Sequence, residues 1–181
     1  MKKTITKQER ENRTRLIGLL DQISTTLPPQ WFHVGSVAVG GLASVGFSKR
    51  QPHLLLVVSV SGRGLFDCST AKKSERDYEE DAGMNHSRLT CMGIGPLHDE
   101  EISLSGINGG GLRTDNDFGD SLISVAPNWP ERELFLAKDF KSPLVDGHQS
   151  HCSQIYAAHE LRAFGFSWCG NYIVAACSSD F

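Results

Sequence analysis

This sequence predicts a mainly β fold: antiparallel meander or blade-like sheets with one N-terminal amphipathic α-helix. Three observations point that way. Glycine is frequent (18 residues) and the prolines are spread along the chain, which suits many short strands and turns better than a helical bundle. The clearest helical periodicity stands at the N-terminus. From Gly40 to Asp67 the chain reads as three short strands joined by two tight connections.

A chain of 181 residues is expected to form one domain, with residues 1–29 as the helix and its stop and 31–181 as the β body. It is long enough to hide roughly 70% of its unfolded surface. A net charge of −3 and a pI near 6.1 leave no electrostatic footprint for nucleic acid. The five cysteines, Cys68, Cys91, Cys152, Cys169 and Cys177, are odd in number and irregular in spacing, so no disulfide framework is implied. Met1-Lys2-Lys3 is basic, but no long apolar run follows, so neither a signal peptide nor a membrane span is expected. A reducing cytoplasm is the expected location.

Element by element, Thr6 and Glu9 match a capping box. Leu16, Ile17, Leu19, Leu20, Ile23 and Leu27 then recur at helical spacing, and Pro28-Pro29 is expected to end the helix. Lys2, Lys3, Lys7, Arg10, Arg13 and Arg15, set against Glu9 and Glu11, read as a solvated face. From Trp31 the pattern turns to β. Leu42–Phe47 is a candidate strand, and Leu54–Val60 is a continuous apolar run of the kind buried on both faces. Ser61-Gly62-Arg63-Gly64 reads as a turn with two glycines, and Leu65–Cys68 leaves it. Asp77–Gly83 is polar and acidic and reads as a loop. Further candidate strands are Arg88–Cys91, Glu101–Ile107, Ser121–Val125 and Glu133–Ala137; Lys138–Ser153 reads as loop.

The end of the chain echoes its first β segment. Gly46-Phe47-Ser48 returns as Gly165-Phe166-Ser167, and Ser59 and Ser61 fall on Cys177 and Ser179. The pattern F-S, short turn, apolar strand, then S-x-S-G or S-S-D resembles the inner part of a β-propeller blade of the WD40-like kind. Leu65-Phe66-Asp67 with Ser69-Thr70-Ala71-Lys72 resembles the third strand of such a blade and the turn after it. The resemblance covers about 30 and 22 residues in the two copies. The G-H and W-D pairs of that family are missing, so the resemblance implies blade-like sheets rather than a closed ring. The layout Val39-Gly40-Gly41-Leu42, F-S, S-G-R-G-L-F-D is also similar to that of uncharacterised bacterial proteins, and this likeness implies no activity.

His148, His151, Cys152 and His159 form the densest group of metal-ligand types. Zinc takes four N or S ligands, and one loop can supply several; no cofactor is expected, and zinc is the one this group allows. The spacing departs from a zinc finger, and the other reading is a set of loop residues around a strand start. Cys91 lies five residues after His86, and on one strand residues five apart face opposite ways. Core filling is therefore the default for Cys91. Gly106–Gly111 and Gly93–His98 lack the helix and the lysine of a phosphate loop and read as hairpin turns. Asp115, Asp117 and Asp120 miss the EF-hand spacing. No catalytic residue is assigned.

The function expected is a non-enzymatic protein-binding module working through loops Asp77–Met84, Gly106–Asp120 and Lys138–Ser150, in the manner of an immunity or inhibitor protein in bacterial or phage conflict. The alternatives are a metal-assisted hydrolase using His148–His159 and a nucleic-acid-binding module using the basic N-terminus. The expected partner is a protein; neither nucleic acid nor a membrane is expected, and an open sheet edge allows a homodimer.

Overall fold

The computed structural model describes residues 6–79, 83–158 and 160–181. Helix α1 (Lys7–Leu20) precedes β1 (Leu42–Phe47), β2 (Leu54–Ser59), β3 (Gly62–Asp67) and β4 (Lys72–Asp77). Short strands β5 (Met84–Asn85), β6 (Thr90–Met92), β7 (Glu101–Ser103) and β8 (Ser105–Gly106) follow. Then come β9 (Asp120–Val125), β10 (Arg132–Lys138), β11 (Cys152–Ala158), β12 (Ala163–Phe166) and β13 (Ile173–Ala176). The fold is mainly β, with antiparallel sheets and one helix near the N-terminus. The chain divides into two compact units, residues 1–32 with 119–159 and residues 33–118 with 160–181.

The first unit sets α1 with the antiparallel sheet β11-β10-β9. The capping box forms: Glu9 N–H donates to Thr6 Oγ1 at 3.2 Å, and Thr6 N–H donates to Glu9 Oε2 at 2.7 Å. Only the last turn of α1 is buried, at Leu19 and Leu20; residues 6–15 are exposed all round. The helix ends at Asp21, seven residues before the expected stop at Pro28. Ser24 carbonyl instead accepts from Gln154 N–H at 2.9 Å, so a backbone bond to β11 takes the place of another helical turn. Ile23 still reaches the core, beside Leu20, Phe135, Ala137 and Cys152.

The second unit carries the sheet β4-β3-β2-β1-β8, the sheet β5-β6-β7 and the hairpin β12-β13. Every residue of β2 is buried. Leu55 and Val57 join Val45, Phe47, Phe66 and Val174 in one cluster, whereas Leu54, Leu56 and Val58 join Leu65, Cys91, Leu97 and Ile102 in another. The period-2 alternation of a strand thus feeds two cores at once. The turn before β3 is Val60-Ser61, with Gly62 at φ 101°. Gly62, Arg63 and Gly64 belong to β3, which corrects the reading of Ser61–Gly64 as the turn. Three strands lay outside the sequence reading: β4, whose residues are all polar or charged, the two-residue β5, and β11, which begins inside the segment read as loop.

The echo between the two ends is a repeated set of contacts. Ser48 Oγ accepts from Gln51 N–H at 2.9 Å, and Ser167 Oγ accepts from Tyr172 N–H at 3.2 Å, so each F-S serine closes its hairpin loop. Ser59 Oγ accepts from Ser61 N–H at 3.3 Å as Cys177 Sγ does from Ser179 N–H at 3.4 Å. Gly46 and Gly165 let a neighbouring chain come close: a Cβ would lie 2.3 Å from Ser103 O in one and 2.2 Å from Leu112 Cβ in the other. Residues 178–181 then run beside the segment before β1, where Val37 N–H donates to Phe181 O at 2.9 Å.

Candidate functional site

The end of the first unit where β10 stops gathers three of the residues singled out from sequence. Lys138 pairs in register with Asp120, and the chain then turns through Asp139 and Phe140, with Lys141 N–H returning to Lys138 O at 3.0 Å. Both central residues are left-handed, at φ 54° and 55°. That geometry is a tight turn of the mirror-image type, which favours Asn or Asp first and Gly second. Asp139 suits its place. Phe140 does not: a non-glycine residue in this region costs about 1–2 kcal/mol. The ring of Phe140 stands 63% exposed, so burial of the side chain does not offset that cost.

The loop behind the turn is sewn tight. Gln149, buried, donates through Nε2 to Val145 O at 2.8 Å and to Pro143 O at 3.2 Å. Leu144 N–H donates to Ser142 Oγ at 3.3 Å and Leu144 packs on the core, leaving Val145 exposed at the surface. His151 stands at the end of a short 3-10 turn, Gln149–His151. Lys141 Nζ lies 3.1 Å from His151 Nε2. An ammonium has only hydrogens to give, so Nε2 accepts and the ring hydrogen sits on Nδ1. That nitrogen is 3.7 Å from Asp139 Oδ2. Lys141 and His151 are therefore joined beside the turn, with the Asp139 carboxylate just beyond hydrogen-bond reach of the ring.

The metal reading meets this geometry as follows. Cys152 begins β11, buried, with Sγ 3.3 Å from Lys141 O and 3.5 Å from His148 O. Its hydrogen is directed at backbone carbonyls, and burial pushes the thiol up. His151 Nε2 is occupied by Lys141. His148 Nδ1 is buried with no hydrogen-bond partner among the described residues. His159 lies outside the described residues. Among the described residues, no three His, Cys, Asp or Glu side chains gather as a metal cluster.

Comparison with protein-family models, curated proteins and solved structures returns no match.

The other sequence candidates are held in structural roles. Cys91 is buried 3.7 Å from Arg63 Nη1. Burial pushes this thiol up, and the nearby guanidinium does not bring it back. His86 falls in the turn between β5 and β6. Gly106–Gly111 opens with a tight hairpin in which Gly106 and Gly109 exchange backbone bonds of 2.9 and 3.0 Å. Gly93–His98 is the connection of the β6–β7 hairpin, with a 3-10 turn at Gly95–Leu97. Asp117 pairs with Arg113, and Asp120 accepts from Trp31 Nε1. Loop Asp77–Met84 includes residues 80–82, which lie outside the described set. At the N-terminus, Lys7 pairs with Glu11, Arg13 donates to Asn128 Oδ1, and Arg15 donates to Asn12 Oδ1. No helix among the described residues is long and apolar enough to cross a membrane.

Sequence reasoning missed Asp139, Phe140 and Lys141. The available signal was Lys138-Asp139-Phe140-Lys141 directly after an apolar strand, with Asp at the first turn position. The pattern is hidden because Phe stands where Gly marks such turns.

Proposed function

We propose that this protein is a non-enzymatic protein-binding module and that the loop from Lys138 to Ser150 is one of its contact surfaces. The observation that carries this reading is Phe140. At this backbone position phenylalanine carries left-handed strain that glycine does not, and folding gains nothing from the exposed ring, so the ring is explained by what it touches from outside. The bracing by Lys141, His151 and Gln149 supports the same reading, because a rigid exposed ring loses little freedom on binding. The raised thiols of Cys68, Cys91 and Cys152 argue against any of these three as a cysteine nucleophile. The free thiol state of all five cysteines fits a reducing compartment.

In the finer form of this proposal, the module is an immunity or inhibitor protein and its partner is a toxin or enzyme whose activity falls on binding. The blade-like reading belongs with it. Strands β1 to β4 follow one another across the sheet as in a blade, although β8 lies on the outer side of β1.

The test uses a photo-crosslinking residue at Val145 in the full chain, in cells of the source. The expected result is one discrete protein adduct at Val145 and none from a crosslinker at exposed Glu131. Replacing Phe140→Gly is expected to abolish the adduct while leaving stability within about 1 kcal/mol of the parent, since the lost strain and the added chain freedom oppose each other. An adduct that survives Phe140→Gly, or no adduct in either background, would remove this loop from the proposal.

A further inference from the structure

The second unit has an open edge whose charges select what can lie on it. Strand β4 is an edge of the sheet β4-β3-β2-β1-β8. On one side it pairs with β3, from Arg63↔Asp77 to Asp67↔Lys72. On the other side no backbone bond reaches residues 72–77 from any described residue. Six residues of open strand offer about 20 Å of unpaired N–H and C=O groups.

Lys72-Lys73-Ser74-Glu75-Arg76-Asp77 contains no apolar side chain. A bulge falls opposite Leu65 and Phe66, where Ser74 Oγ donates to Leu65 O at 3.2 Å. Lysines and a bulge are the usual guards of an edge against apolar strands. The lysines offer no defence against an acidic one. The two carboxylates of β4 are directed elsewhere. Asp77 is paired with the buried Arg63. The side chain of Glu75 lies over Gly95, where a Cβ would meet Glu75 Cγ at 2.5 Å. The cations are left outward. Lys72 and Lys73 are exposed and make no ion pair among the described residues; Asp67, opposite Lys72, accepts from Ser69 instead. Arg76 is pre-positioned by Ser61 O at 2.6 Å and by the Tyr78 ring, whose centroid is 5.0 Å away. Tyr78 itself is exposed at the strand's end.

We infer that β4 is a docking edge for an extended acidic segment of a partner protein, which adds to the sheet as a further strand and sets its carboxylates against Lys73 and Arg76, the two cations that share a face, opposite Phe66 and Gly64. A second copy of the chain fits less well. Antiparallel self-pairing centred between Ser74 and Glu75 opposes Lys73 to Arg76, and its Lys72–Asp77 pair competes with the Asp77–Arg63 pair; pairing centred on Ser74 opposes Lys72 to Arg76, and its Lys73–Glu75 pair draws Glu75 away from Gly95. Like charges directly opposite are destabilising. This surface belongs to the second unit alone and stands whether or not the Lys138–Ser150 loop binds anything.

The test is a titration of the full isotope-labelled chain with a capped peptide alternating Thr or Val with Glu, and with its Lys-for-Glu analogue. The Glu peptide is expected to shift the amides of residues 72–77, slow their hydrogen exchange, and bind more weakly as salt rises. Lys73→Glu, on an exposed side chain, is expected to weaken that peptide about tenfold and to transfer preference to the Lys analogue, whereas Lys72→Glu, on the opposite face, should do neither. Phe140→Gly should change neither result, which separates this surface from the loop. Saturable binding that ignores the sign of the peptide, or no shift at residues 72–77, would overturn the inference. Amides already protected in the free protein together with a dimeric mass would also overturn it, in favour of a second copy.

Discussion

Ser48 shows how much one small side chain settles. Its hydroxyl donates to Glu100 Oε2 at 2.7 Å while accepting from Gln51 N–H, so it closes the β1–β2 loop and ties it to the residue before β7. Glu100 also accepts from Lys49 N–H at 2.7 Å and from Arg50 Nε at 3.3 Å. Burial pushes the Glu100 carboxyl up, but these bonds from Ser48, Lys49 and Arg50 together hold it below its ordinary 4.5. Beside it, the Arg50 guanidinium bonded to Asp99 holds that carboxyl at about 2. A carboxyl lowered in the fold contributes stability above its unfolded value and loses it as pH falls through its folded one. Denaturant midpoints of the full chain should therefore decline from about pH 4.5 toward pH 2. Glu100→Gln should flatten that decline, and an unchanged slope would remove Glu100 as its source. Ser48→Ala should cost about 1–3 kcal/mol at neutral pH, since the buried Glu100 carboxylate and the half-buried Gln51 N–H each lose a bond. In the sequence, Ser48 was visible only as half of a repeated F-S pair; Glu100, which lies 52 positions away in the chain, carried no signal at all.

At the scale of elements, legibility followed side-chain pattern. Strand β2 was readable because an unbroken run of Leu and Val has nowhere to go but a strand with both faces covered. Leu55→Ala and Leu56→Ala point into different cores. Each should destabilise by about 2–5 kcal/mol in chemical denaturation. A half-solvated strand would tolerate one of the two, and that outcome would refute double burial. Strand β4 was not readable, because its six residues are all polar or charged and its pairing comes from β3 across a turn. Strand β11 was hidden by His151, Cys152 and by Pro143 and Gly147 before it, although its pairing with β10 runs from Ala137↔Cys152 onward. Helix α1 was readable at its start, where capping is local, and misread at its end. There Ser24 finds its partner on β11, which no local rule contains.

Across the whole molecule, the five thiols report how the chain protects its interior. All five are free. Burial pushes Cys68 up to about 12 and raises Cys91 and Cys152 as well. Iodoacetamide near pH ~8 should therefore leave these three unmodified in the native protein and label them on unfolding, because the thiolate is the reacting form. Peptide mapping after labelling with and without guanidinium checks this; rapid native labelling of Cys68 would contradict it. The sequence alone determined the fold class, the helix start, the double burial of β2 and the likeness of the two hairpins, because each rests on a pattern of neighbours along the chain. Only the tertiary structure decided the division into two units, the open edge at β4 and the ring of Phe140 held in a left-handed turn. Those depend on which distant backbone group satisfies which, and on where a side chain is left once the core is full, and neither is written in local order.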